Sequence, residues 1–172
     1  MKNSLNQLAF LFLFSILFTN ASAQKFEAES VERSNGTAFF AINSSTGQLA
    51  FMADHGKSSG IWKNYGGIIR ESGASNLEFR AIERSEGTAF FAMDGATGQV
   101  YFMLDYGSNS GKWKNYGGII TRQGDGKLEF EAAARKDGTA FFAIDGKTGQ
   151  VYYMLDYGSN AGKWKSFGGV IP

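Results

Sequence analysis

Hydrophobic and polar positions along most of this chain alternate with a period of two. Leu77-Glu78-Phe79-Arg80-Ala81 places an apolar residue at every second position, the pattern of a strand with one dry and one wet face. Thr88-Ala89-Phe90-Phe91-Ala92-Met93 is apolar throughout, as a strand covered on both sides would be. Gln99-Val100-Tyr101-Phe102-Met103-Leu104 alternates again, with Val100, Phe102 and Leu104 expected inward and Gln99, Tyr101 and Met103 opposite. A shorter fourth strand is expected from Lys112-Trp113-Lys114 towards Tyr116. Between these runs lie turn signals. Ser85-Glu86-Gly87 is a tight hairpin, Asp94-Gly95-Ala96-Thr97-Gly98 a second one, and Gly107 to Gly111 a longer, flexible loop.

This pattern occurs three times, 51 residues apart, with the Gly-Thr-Ala-Phe-Phe-Ala segment starting at Gly36, Gly87 and Gly138. The repeats are 26–76, 77–127 and 128–172, the last without a connecting tail. Repeats two and three agree at 32 of 45 aligned positions and repeats one and two at 27 of 45, so one backbone geometry should serve all three. With 23 Gly, one Pro at the end and no helical periodicity, the fold class is all-β.

Three repeats of about four strands close naturally into a threefold-pseudosymmetric barrel with hairpins. In repeat number and length the chain resembles a β-trefoil. It lacks the Gln-x-Trp signature of ricin-type lectins, Gly-Lys-Trp-Lys standing in its place. The run Asp145, Thr148, Gly149, Val151, Tyr152 and, downstream, Trp164 is similar to units of bacterial secreted β-repeat and propeller proteins of unknown function. That resemblance implies the alternative, a three-bladed propeller-like ring. Propellers usually have four to eight blades, so two chains would be needed to make six.

Residues 1–23 stand apart from the repeats. Lys2, the apolar run Leu8–Phe18 and the Ala21-Ser22-Ala23 junction together form a signal-peptide pattern, leaving 24–172 as a single domain. This run of eleven residues spans only about 16 Å as a helix, too short for a ~30 Å hydrocarbon core. A secreted or periplasmic location is therefore expected, with no membrane span in the mature form. The chain has 17 basic and 16 acidic residues; removing Lys2 with the leader leaves 16 of each. A neutral chain has no electrostatic reason to bind nucleic acid.

The inventory for catalysis is thin. There is no Cys, and the sole His, His55, aligns with Tyr106 and Tyr157. No Gly-x-Ser-x-Gly elbow is present. Asp94 and Asp145 open hairpin turns, where Asp bonds its own backbone. Asp105, Ser108 and Asn109 offer one carboxylate per loop, too few for calcium. The expectation is a non-enzymatic protein without metal or cofactor.

What remains is aromatic and polar. Asp105, Tyr106, Asn109, Lys112 and Trp113 recur as Asp156, Tyr157, Asn160, Lys163 and Trp164, while repeat one keeps only Asp54 and Trp62. Flat rings stack on sugar faces, and Asp and Asn bond sugar hydroxyls. These twelve residues are the candidate ligand-binding set of a secreted module with two or three equivalent sites, its expected partner a glycan or cell-surface ligand. The Trp residues could equally fill the core of each repeat. The alternative function is a structural or protein-interaction β-repeat protein that self-associates as a homodimer or docks a partner through exposed aromatics.

Overall fold

The computed structural model describes residues 25–57, 59–69, 76–121 and 126–168, and the expected signal peptide, 1–23, lies outside the described residues. Each repeat forms one four-stranded antiparallel meander. Sheet one contains β1 (Phe26–Arg33), β2 (Gly36–Asn43), β3 (Leu49–Ala53) and β4 (Lys63–Tyr65). Sheet two contains β5 (Leu77–Arg84), β6 (Gly87–Asp94), β7 (Val100–Leu104) and β8 (Lys114–Asn115). Sheet three contains β9 (Leu128–Arg135), β10 (Gly138–Asp145), β11 (Val151–Leu155) and β12 (Lys165–Ser166). In every sheet the strands are ordered as they are in the chain.

The turns follow from their residues. Arg84 pairs with Gly87 across a two-residue connection, and Gly87 has φ +140°. The Asp94 carboxylate accepts from the Ala96 amide at 2.9 Å, and the Gly98 amide donates to the Asp94 carbonyl at 2.7 Å. The Gly107–Gly111 loop is a tied turn: Ser110 N–H bonds the Gly107 carbonyl at 3.2 Å and Gly111 N–H the Leu104 carbonyl at 3.0 Å.

None of the three sheets closes into a barrel, so a closed threefold barrel does not follow from the repeat number. Sheets one and three each pack against sheet two and, among the described residues, make no contact with one another. The first strands, β1, β5 and β9, lie closest across these junctions.

Two apolar layers result. Between sheets one and two lie Phe40, Ile42, Leu49, Leu77, Phe79, Phe90 and Met103. Between sheets two and three lie Phe91, Met93, Val100, Leu128, Phe130, Phe141 and Met154. The second layer repeats the first: Phe40 meets Phe90 edge-on at 4.7 Å and Phe91 meets Phe141 at 4.8 Å. Each buried Phe contributes on the order of 1.5–3 kcal/mol. Backbone bonds tie the sheets as well, from the Gly67 amide to the Gly111 carbonyl at 2.9 Å and from Gly118 to Gly162 at 3.0 Å.

Two expectations change here. The middle sheet has no wet face: Val100 belongs to one apolar layer and Met103, on the opposite face of the same strand, to the other. Even Glu78 is buried, its carboxylate paired with Lys127. The fourth strand is also shorter than Lys112–Tyr116, because Trp113 leaves the ladder to reach the preceding sheet.

Candidate functional site

The repeated polar residues gather at the two junctions. In β1 the chain ends on Arg33, which crosses to sheet two, donates to Asp105 Oδ2 at 2.5 Å and bonds the Thr88 hydroxyl. Asp105 is fixed from behind by the Thr88 amide, which donates to Oδ1 at 2.7 Å. Arg84 repeats this at the next junction, donating to Asp156 Oδ2 at 2.8 Å and Thr139 Oγ1 at 2.6 Å. Both guanidinium carbons lie 5.7 Å from a ring centroid of their own sheet, Phe40 and Phe91. Cation–π attraction thus holds each Arg on its side of the junction while the carboxylate draws it across.

Beside each Arg–Asp pair is a cleft. One of about 210 Å³ is lined by Arg33, Phe40, Phe51, Tyr65 and Asp105. Its counterpart, about 190 Å³, is lined by Arg84, Phe91, Phe102, Leu104, Tyr116 and Asp156. Tyr65 and Tyr116 stand as walls, 6.0 Å from Phe90 and 6.1 Å from Phe141 between ring centroids. Burial, reinforced by the nearby Asp156 carboxylate, pushes the Tyr116 phenol above its ordinary pKa, so it stays a neutral donor. Arg33 Nε is buried and bonds nothing among the described residues, the nearest carboxylate oxygen of Glu83 lying 3.8 Å away. A third cleft, of about 260 Å³, lies between hairpin tips around Arg84, Ser85 and Lys136.

No family model, curated protein or solved structure matches this chain. The geometry therefore carries the functional reading by itself.

The candidate residues divide into three groups. Asp105 and Asp156 line the clefts. Trp113 and Trp164 pack in the layers between sheets, where their indole N–H groups donate to the Gly47 and Gly98 carbonyls at 3.0 and 2.9 Å. Tyr106 and Tyr157 are half-buried over the hairpin glycines, since a Cβ on Gly87 or Gly138 would meet their Cδ1 at 2.9 Å. Asn109, Lys112, Asn160 and Lys163 are exposed on the tied loops and line neither cleft.

Repeat one stands alone. Asp54 accepts from His55 Nδ1 at 2.8 Å instead of from an Arg, and this bond together with the Thr37 amide holds its carboxyl below the usual range. Trp62 remains 48% exposed. Among the described residues, no cluster of His, Cys, Asp or Glu could hold a metal ion, and no helix is long and apolar enough to cross a membrane.

Besides the apolar lining, the cleft residues absent from the sequence-derived set are Arg33, Arg84, Tyr65 and Tyr116. Their signal was present: Arg33, Arg84 and Arg135 recur at the repeat spacing, as do Tyr65, Tyr116 and Phe167.

Proposed function

We propose that this protein is an exported, non-enzymatic binding module whose inter-sheet clefts each take one small ring-shaped polar ligand, a sugar residue of a glycan. The observation that carries this reading is the duplication of the cleft. Arg33, Phe40, Tyr65 and Asp105 are rebuilt as Arg84, Phe91, Tyr116 and Asp156 around cavities of nearly equal volume. The cavities are smaller than the roughly 300–1,000 Å³ of sites for drug-sized ligands, which suits a single ring. Aromatic walls would meet the apolar face of a sugar, while the phenols would bond its oxygens. Two weak, equivalent sites on one rigid body gain avidity against a polymer that presents the same sugar repeatedly.

The series of sheets also favours propeller-like blades over a closed threefold barrel, because a barrel would require sheets one and three to meet. Titration calorimetry of the purified chain with monosaccharides and short glycans tests the binding reading. Heat of binding is expected, reduced at least tenfold in affinity by Tyr65→Ala with Tyr116→Ala. Absence of binding across a glycan panel, or binding indifferent to that double variant, overturns it.

A further inference from the structure

The two junctions use opposite faces of a sheet, and each end of the series keeps one face unused. A junction joins a trailing face, carrying Arg33, Phe40, Phe51 and Tyr65, to a leading face, carrying Phe79, Phe90, Met103, Asp105 and Trp113. Sheet two presents its own trailing face to sheet three in the same way. Among the described residues, no sheet packs on the leading face of sheet one or on the trailing face of sheet three.

The unused faces retain the residues of a junction. On the trailing face of sheet three, Arg135 aligns with Arg33 and Arg84, is exposed, and has no carboxylate partner among the described residues. Phe142, Tyr153 and Phe167 stand where Phe40, Phe51 and Tyr65 stand in sheet one. Tyr153 meets Phe167 at 5.3 Å, as Phe102 meets Tyr116 at 5.5 Å, so the aromatic wall is already built. Phe167 is 61% exposed. On the leading face of sheet one, Asp54 aligns with Asp105 and is exposed, and Trp62 aligns with the sealed Trp113. Phe26 is 54% exposed, although Leu77 and Leu128 at the same position are fully buried.

We propose that a second copy of this chain covers both ends, sheet three of each chain docking on sheet one of the other. Arg135 then reaches Asp54 of the second copy, and Trp62 donates to the Gly149 carbonyl of the second copy, as Trp113 does to Gly47. The two ends are unlike and complementary, one offering a cation and the other an anion, so the contact is head-to-tail. Head-to-tail contacts form rings when the rotation closes. Two chains give six sheets, within the usual four to eight of a propeller, whereas three chains give nine. Each new junction would also complete an Arg–Asp cleft from two chains. The association stands independently of what the clefts bind.

Sedimentation equilibrium across the micromolar range tests it, with the purified full chain expressed with its leader in place. A dimer mass is expected for the parent chain, a monomer mass for Arg135→Glu, and a dimer again for Arg135→Glu combined with Asp54→Arg. Acrylamide quenching of Trp62 fluorescence is expected to rise in the monomeric variant. Both residues are exposed, so unchanged circular dichroism and unfolding cooperativity serve as the folding control. A monomeric parent chain, a dimer indifferent to Arg135→Glu and Trp62→Ala, or an open-ended polymer each overturns the proposal. So would a charge reversal that fails to restore the dimer.

Discussion

The indole nitrogen of Trp164 donates to the carbonyl oxygen of Gly98, 66 residues earlier and on the preceding sheet, at 2.9 Å. Trp113 makes the same bond to Gly47 across the same separation. Each Trp therefore reads the turn of the sheet before its own and not the turn beside it. Replacing Trp164 or Trp113 by Phe keeps most of the buried area but strands a carbonyl. A loss of about 1–3 kcal/mol in urea unfolding is expected for each. Trp62→Phe, compared in the Arg135→Glu background that keeps the chain single, should change stability by no more than about 0.5 kcal/mol. Equal losses at all three positions would contradict the junction role.

Two glycines separate crowding from backbone strain. Gly87 has φ +140°, and a Cβ there would lie 2.2 Å from Asp105 Oδ1 and 2.9 Å from the Tyr106 ring. Gly87→Ala should displace the carboxylate that Arg33 holds and cost several times more than Gly107→Ala. Gly107 has φ +76° but open space around it, so only the left-handed penalty of about 1–2 kcal/mol applies. Denaturant midpoints of the two variants give the comparison.

Acid stability turns on two glutamates that face the same guanidinium. Arg80 donates to both carboxylate oxygens of Glu131, at 2.7 and 3.0 Å, and this holds the Glu131 carboxyl below its ordinary pKa. Its contribution is present above the unfolded value and disappears as pH falls through the folded one. Glu29 is opposite in sign. Burial raises its pKa, outweighing the Arg80 charge, so protonation on acidification favours the folded state. Glu131→Gln should flatten the fall in stability on the acid side of the Glu range, and Glu29→Gln should steepen it. The Glu131 side chain is 63% exposed and solvent screens the pair, so the effect should stay below about 1 kcal/mol. Melting temperatures across that pH range would show the two opposite slopes.

The strands and turns were legible because they are local. A period of two gives the faces of β5 and β7, and Asp94 or Gly98 announces its turn from its own chemistry. What covers each face is not local. Val100 and Met103 alternate whether one side is wet or both are dry, and only the stacking of sheets decides between them. The partners of the polar set were hidden for the same reason. Asp105 and Trp113 are close in the chain, but each is held by a residue of sheet one, Arg33 or Gly47. Arg33 lies in an otherwise ordinary Glu-Arg-Ser turn sequence, and its role emerges only when Asp105 is brought opposite it.

Because, among the described residues, each sheet touches only its immediate neighbours, cooperativity within a single chain is one-dimensional. The middle sheet is stabilised by two couplings and each terminal sheet by one. In a chain without its second copy, loosening would therefore begin as fraying at the outer sheets, and damage to sheet two would uncouple both ends at once. The 51-residue period is in this sense an extensible modulus: a further copy inserted between two others would meet the same faces it presents.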